Sequence, residues 1–343
     1  MASSDSEIRL RSSAHTSIGQ VRENNEDTVQ LWADDEYVLA VVADGMGGAV
    51  AGEEASRIAV DAIQQQMVLE AGDQRLDTLH DDVIVEKLCD AIRLANLNIV
   101  KRAAINPELR GMGTTVTLTL VRSTSAIVAH VGDSRAYLID GVSRRITQIT
   151  ADHTFVEALV AAGHLTPDQA TEHPMRNVLY RALGQHEDVE VDIYEASLRA
   201  GDRLVLCSDG LTRHVKPLEI ARIVSDAPDP DTAGDDLIAL ANARGGEDNV
   251  SVIVIALDGE LPDTQEHTSM ALLDDDDTVQ LKDPHIAHAV EAAIRDAAMR
   301  DGAARDSDKT LTIKNAHHNQ TEYCATREMS VDADGYDTFW WDH

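Results

Sequence analysis

Aspartates in this chain recur where apolar segments stop. Val41-Val42-Ala43 runs into Asp44-Gly45-Met46-Gly47-Gly48, and Leu204-Val205-Leu206-Cys207 runs into Ser208-Asp209-Gly210. Glu247-Asp248-Asn249 opens the apolar stretch from Val250 to Leu257, and Val131-Gly132-Asp133-Ser134 adds a further acid at a strand end. Taken singly, an Asp-Gly step is an ordinary turn. With their strands side by side the acids become a chemical problem. Two carboxylates about 4 Å apart repel by roughly 4 kcal/mol at an effective dielectric of 20, so such a group either takes up protons or holds a cation. Oxygen donors without matched His or Cys spacing favour Mg2+ or Mn2+ over Zn2+. A pair of such ions lowers the pKa of a water between them and clamps a phosphoryl group during in-line attack. That suits phosphate monoester hydrolysis, among the slowest uncatalysed reactions.

A nucleotide cradle is the competing use of a strand, glycine turn and helix. The P-loop requires Lys-Ser/Thr after its last glycine, whereas Gly52 is followed by Glu53-Glu54. A dinucleotide fingerprint fails because Val50 stands where its third glycine belongs. Acids at that helix start repel phosphate, and a cation fits better.

The elements that must position these acids alternate up to about Leu257. Runs rich in β-branched residues predict strands at Tyr37–Ala43, Thr114–Arg122, Ala126–Val131, Ala136–Asp140, Arg203–Ser208 and Val250–Leu257. Apolar residues three or four apart predict helices at Gly52–Leu69, Asp81–Ala104, Thr154–Ala162, Pro217–Ser225 and Asp231–Ala243. The short link Gly132-Asp133-Ser134-Arg135 reads as a hairpin, hence as antiparallel pairing of the strands on either side. After Asp258 the character changes: residues 259–343 include the aspartate run Asp274–Asp277 and few large aliphatics, and read as an acidic, mostly disordered tail with one helix at His285–Arg300.

Composition narrows the partners. The 343 residues are 43% hydrophobic and 26% charged, ordinary for a globular protein, but 61 Asp+Glu against 29 Lys+Arg leave a formal net charge of −32. Such an excess repels nucleic acid and anionic lipid, so neither is expected as a partner. The longest apolar run, Tyr37 to Ala43, is far short of the roughly 20 residues of a membrane helix. The opening MASSDSEIRL lacks a signal-peptide pattern, and Cys89, Cys207 and Cys324 form neither a disulfide framework nor a zinc spacing. A cytoplasmic setting is expected.

Arg22-Glu23-Asn24-Asn25-Glu26-Asp27, Asp44-Gly45-Met46-Gly47-Gly48, Gly111-Met112-Gly113-Thr114-Thr115, Val131-Gly132-Asp133-Ser134-Arg135, Asp152-His153-Thr154, Ser208-Asp209-Gly210-Leu211 and Asp248-Asn249-Val250-Ser251 occur in that order. From about Ser12 to Leu257 the chain thereby resembles the bacterial form of the PP2C-type (PPM) metal-dependent protein serine/threonine phosphatases. The resemblance implies an α+β fold, a four-layer α-β-β-α sandwich of two antiparallel sheets with helices outside, over residues 1–258. It implies that Asp44 bridges two ions, that the Gly45 carbonyl binds one, and that Asp209 and Asp248 complete the second ion's shell. Asp133, sharing Asp209, would hold a third ion. Glu26 and Asp27 would act through waters on the metals, and Arg22 would grip the substrate phosphate with paired N–H donors. Metal-activated water would attack phosphorus directly, without a phosphoenzyme.

Several nearby residues carry plainer expectations. Met46 stands where animal members often have a proposed acidic histidine, so it reads as packing, and the leaving alkoxide would take its proton from water. His153 reads as structural, Cys207 as core and Ser134 as a turn residue; Arg22 has the alternative of a surface pair with Glu26. Ala162–Gly184 resembles the mobile flap of bacterial members, with an ordinary surface loop as the alternative. The expected partners are phosphorylated proteins and a serine/threonine kinase whose action is reversed. The tail's plain reading is an acidic solubilising extension; the sharper alternative has Thr278 or Thr310 phosphorylated and read by a phosphothreonine-binding domain, and Phe339-Trp340-Trp341 would dock on the body or a partner. A binding-only pseudophosphatase and a phosphatase dedicated to one anti-sigma-type switch are the alternatives; intact Asp44, Asp209 and Asp248 argue against the first.

Overall fold

A strand covered on both faces carries an unbroken apolar run, and such strands organise this chain. The computed structural model describes residues 8–69 and 75–259. Apart from Gly259, the acidic tail with its expected helix, Thr278, Thr310 and aromatic cluster lies outside these residues. One sheet runs in the order β1 (Arg9–Ser17), β11 (Val250–Asp258), β10 (Arg203–Cys207), β7 (Arg135–Ile139) and β8 (Ile146–Gln148). The other runs β2 (Asp27–Ala33), β3 (Tyr37–Met46), β5 (Val116–Arg122), β6 (Ser125–Val131) and β9 (Asp192–Ser197), with β4 (Gly113–Thr114) on the end of β3. Every pairing is antiparallel.

Alternate residues along the central strands go to different layers, as a period of two requires. On β3, Leu39, Val41 and Ala43 pack with Ala55 and Ile63 of α1 (Ala49–Gln64) and Ile92 of α2 (Asp81–Ile105). Val38, Ala40 and Val42 turn the other way and meet Leu204, Leu206, Ile253 and Ile255 from the facing sheet. On that sheet, Val205, Cys207, Val252 and Val254 pack under Ile220 and Val224 of α6 (Pro217–Asp226) and Leu237 of α7 (Pro230–Ala243). Helices, sheet, sheet, helices: the four-layer α+β sandwich is present, and Cys207 is a core residue. Among the described residues no helix is long and apolar enough to cross a membrane.

The expected hairpin at residues 132–135 is wrong. β6 pairs with β5 and β9, while β7 pairs with β10 and β8, so the Gly132–Ser134 turn carries the chain from one sheet to the other. The turn's polar groups explain this. The Ser134 side chain is buried against the Thr115 hydroxyl at 2.8 Å, and its carbonyl accepts from Thr117 Oγ1 at 3.0 Å. These bonds draw the turn into the end of the sandwich instead of closing a two-strand ribbon. Sequence reading also overlooked β1, β2, β8 and β9, and the short helices α4 (Pro167–Thr171) and α5 (Asp209–Thr212). Helix α3 (Phe155–Ala161) starts one residue later than expected because Thr154 caps it, its hydroxyl accepting from Glu157 N at 3.2 Å.

Leu206 is fully buried between the sheets. Leu206→Ala is expected to lower unfolding free energy by about 2–5 kcal/mol, read from urea denaturation; a cost below about 1 kcal/mol would place this side chain outside the inter-sheet layer.

Candidate active site

The acids meet at the end of the sandwich where β3 stops, β10 gives way to α5 and β11 begins. Asp44, Asp133, Asp209 and Asp248 line one cleft of about 240 Å³, shared with Arg22, Glu26 and Gly45. Backbone pairing sets much of this. Asp27 stands opposite Asp44 in the β2–β3 register. Asp44 N–H donates to Thr115 Oγ1 at 3.0 Å, and its carbonyl accepts from Thr114 Oγ1 and Thr115 N, both at 2.9 Å. Asn249 ties the β1–β2 loop to the start of β11: its Oδ1 accepts from Glu26 N at 2.8 Å, and its Nδ2 donates to the Ile18 and Asn24 carbonyls. At the start of α5, a Cβ on Gly210 would lie 1.9 Å from the Asn249 carbonyl oxygen, so only glycine lets the Asp209 and Asp248 segments approach this closely.

Burial then works against the charge. It raises Asp44 well above the usual carboxylate range, with repulsion from Asp27, Asp209 and Asp133 adding to the shift. Asp133 is pushed up to about 8 by burial and by Asp209 and Asp152. Asp27 is pushed up to about 7 by burial, against hydrogen bonds from Ser251 and Ser208, the latter at 2.8 Å. Asp209 and Glu26 are raised as well, again chiefly by burial, with Arg213 offsetting part of the shift on Asp209 and Arg22 part of that on Glu26. Buried oxygen donors short of counter-charge fit a hard divalent cation.

Two arginines supply positive charge. Arg213 Nη1 lies 2.7 Å from Asp248 Oδ2 while its Nη2 bonds Asp209 Oδ2. Arg22 Nη2 lies 2.8 Å from Asp248 Oδ1, with Nη1 3.8 Å from Glu26. Among the described residues no three His, Cys, Asp or Glu side chains already converge as an open ligand cage. Asp44, Asp133, Asp209 and Asp248 thus share the cleft, with guanidinium groups among them. Arg22 does pair with Glu26, and with Asp248 more closely. Arg213 was missed, although its position four residues after Asp209 on a helical turn is a signal for reach-back pairing.

A buried polar chain stands behind Asp133. His153 Nδ1 accepts from Gly132 N–H at 3.0 Å and its Nε2–H faces Asp192 Oδ2 at 2.9 Å, so the neutral Nε2–H tautomer is fixed. Arg181 bonds the same carboxylate at 2.5 Å; with His153 it outweighs the effect of burial and holds Asp192 below the usual range. His130 stacks 4.9 Å from the His153 ring and directs Nε2 at the Gly132 and Ala151 carbonyls. His153 is structural, as expected. Met46, also expected as packing, contributes to the cleft wall, as do Asn177 and Leu179 from the Ala162–Gly184 segment.

This chain makes two testable demands. Gly132 has φ +120° and a Cβ there would lie 2.5 Å from Thr115, so Gly132→Ala should cost at least about 1 kcal/mol in unfolding experiments. Burial, and then the repulsion that a protonated His153 would add, push His130 down to about 3, against about 6.5 when unfolded. The folded state therefore binds fewer protons, and this contribution to stability is lost as pH falls from about 6.5 toward 3. Asp27 and Asp133 act with the opposite sign, destabilising the ion-free fold as pH rises from about 4 to 8. Chelated His130→Asn should accordingly lose less melting temperature than the parent between pH 7 and 5; an identical slope would exclude His130 as the source.

The sequence model described as protein phosphatase 2C matches residues 15–233. The serine/threonine protein phosphatase PstP of Mycobacterium tuberculosis is 39% identical over 287 residues, covering 83% of this chain and 52% of the relative, so the chain spans about half of that protein's length. The serine/threonine phosphatase stp of Listeria monocytogenes is 35% identical over 244 residues, 71% of this chain and 94% of the relative. The crystal structure of the PstP catalytic domain in complex with two manganese ions superposes with a TM-score of 0.62 at 37% identity, covering 73% of this chain and 99% of that one. With the ordered motifs, the two-sheet sandwich and the acid-lined cleft, these likenesses establish that the chain belongs to the protein phosphatase 2C family.

Proposed function

We propose that this protein hydrolyses phosphoserine and phosphothreonine in other proteins, with Mn2+ or Mg2+ held in the acidic cleft. The supporting observation is that Asp44, Asp133, Asp209 and Asp248 line one cleft, in a chain related to a phosphatase domain solved with two manganese ions. Asp44, the Gly45 carbonyl, Asp209 and Asp248 would hold two ions, and Asp133, sharing Asp209, a third. Bound there, the ions would supply Lewis acidity toward phosphoryl oxygens and a nucleophilic water at neutral pH.

The chain's own residues do the rest. Glu26, lining the cleft, and Asp27, opposite Asp44 in the β2–β3 register, would accept hydrogen bonds from waters on the ions and orient them. Arg22, half-exposed at the cleft wall, can turn from Asp248 to a phosphate and donate two parallel N–H bonds. As the water oxygen bonds to phosphorus, the bond to the seryl or threonyl oxygen breaks. The Met46 thioether has no proton to give, so that oxygen takes its proton from water. A covalent phosphoenzyme is disfavoured by the candidates at hand: the buried Cys207 thiol is pushed up to about 12 by burial, and Ser134 Oγ is bonded to Thr115.

The partners on this reading are phosphorylated proteins in the cytoplasm, the kinase that modifies them, and a phosphothreonine-binding domain that reads the tail. Turnover of p-nitrophenyl phosphate and of a phosphothreonine peptide should require Mn2+, stop in chelator, and fall at least about 100-fold in Asp209→Asn. Metal-independent turnover, or full activity of that variant, would overturn the assignment. Arg22→Lys should raise KM for the peptide about tenfold, because an ammonium cannot reproduce the paired donors; an unchanged KM would remove Arg22 from the phosphate site.

A further inference from the structure

Arg213 brings positive charge to two of the proposed ion ligands, Asp209 and Asp248. It follows Asp209 by four residues, and its backbone N–H donates to the Asp209 carbonyl at 2.9 Å, so the helical turn of α5 returns the side chain over that aspartate. From there the guanidinium spans Asp209 and Asp248, two acids that are distant in sequence. Asp248 is then engaged at both oxygens: Oδ2 by Arg213, and Oδ1 by Arg22 and by Asn249 N–H at 3.0 Å. The Arg213 side chain remains 34% exposed, against 17% and 15% for Asp209 and Asp248. It therefore has a route out of the cleft that the acids lack.

We propose that Arg213 is a resident counter-cation of this site, bridging Asp209 and Asp248 in the ion-free protein and withdrawing toward solvent when a divalent ion takes their oxygens. The inference rests on the reading of these two acids as ion ligands. Ion uptake is then an exchange, guanidinium out and metal in, and the divalent concentration at which the site fills depends on a residue that is not itself a ligand. Linkage makes the exchange reciprocal: whatever strengthens the Arg213 bridge weakens ion binding by the same factor. The bridge also steadies the empty site, because without it Asp209 and Asp248 face each other with less compensation.

Calorimetric titration of Mn2+ into the chelator-stripped full chain tests this, with the melting temperature in chelator as the second readout. Arg213→Gln should bind Mn2+ about tenfold more tightly and, without ions, melt lower by roughly 3 °C. Tighter binding from a less stable protein is a signature that loss of a merely structural contact does not produce, since damage to the site weakens binding. Arg213→Lys keeps the charge without the two-pronged reach and should fall between the parent and Arg213→Gln, which keeps the test decisive if the glutamine variant fails to fold. Equal or weaker Mn2+ affinity in the substituted proteins overturns this proposal and leaves the ion-site reading standing. No Mn2+ binding by the parent or the variants overturns both.

Discussion

Carboxylates held together away from water must be given positive charge, and that demand governs the functional end of this molecule. Asp27, Asp44, Asp133 and Asp209 lie where burial alone raises each of them, and mutual repulsion adds to the effect. Removing charge from water is tolerable only when a partner compensates it. At Asp209 and Asp248 the partners are guanidinium groups on flexible stems, which can leave. A permanent buried ion pair would have satisfied the electrostatics equally well but left no vacancy for chemistry. The arrangement thus favours ligands that a small divalent ion can claim.

Holding such a cluster in place requires a scaffold that does not yield to the repulsion. The two sheets provide it through side chains rather than through the acids themselves. Leu204, Leu206, Ile253 and Ile255 fill the space between the sheets just behind the ends of β10 and β11, where close packing resists displacement. Strand register adds a second restraint, since sliding β2 on β3 by one residue would turn Asp27 away from the face it shares with Ser208. The histidine chain behind Gly132 adds a third. Both rings are buried and neutral, so they orient the Asp133 turn by directed hydrogen bonds without bringing another charge into the cluster.

What the amino-acid order discloses follows from how each element is buried. β3, β10 and β11 are covered on both faces, and their apolar runs announce them. β1 is legible only in the fold: its Arg-Leu-Arg-Ser-Ser-Ala-His-Thr-Ser stretch carries little apolar pattern, and it is a strand because its full length pairs with β11. β8, mostly exposed, and β9, mostly half-buried, are short and depend on neighbours in the same way. The 132–135 link misled because turn length cannot tell a hairpin from a crossing between sheets. The deciding bonds, from Ser134 to Thr115 and Thr117, are long-range. The acids at strand ends were readable because each carries its own local signature, whereas Arg213 gains its meaning only when Asp248 arrives from elsewhere in the chain.

The same electrostatics constrain what can enter the cleft, and in what order. A dianionic phosphate approaching Asp44, Asp133, Asp209 and Asp248 in their ionised forms is repelled, and the formal charge of −32 over the whole chain adds to the repulsion at low ionic strength. Arg22 and Arg213 cannot reverse this while their donors are committed to Asp248, Glu26 and Asp209. Two changes must therefore precede tight phosphate binding: the acids must be compensated by something other than these arginines, and Arg22 must be released to turn outward. On the proposed reading, one divalent ion on Asp248 would accomplish both, because it would replace the guanidinium charge and take the oxygens that hold Arg22. Ion and phosphate affinity would then be linked through a shared aspartate, without any movement of the sheets.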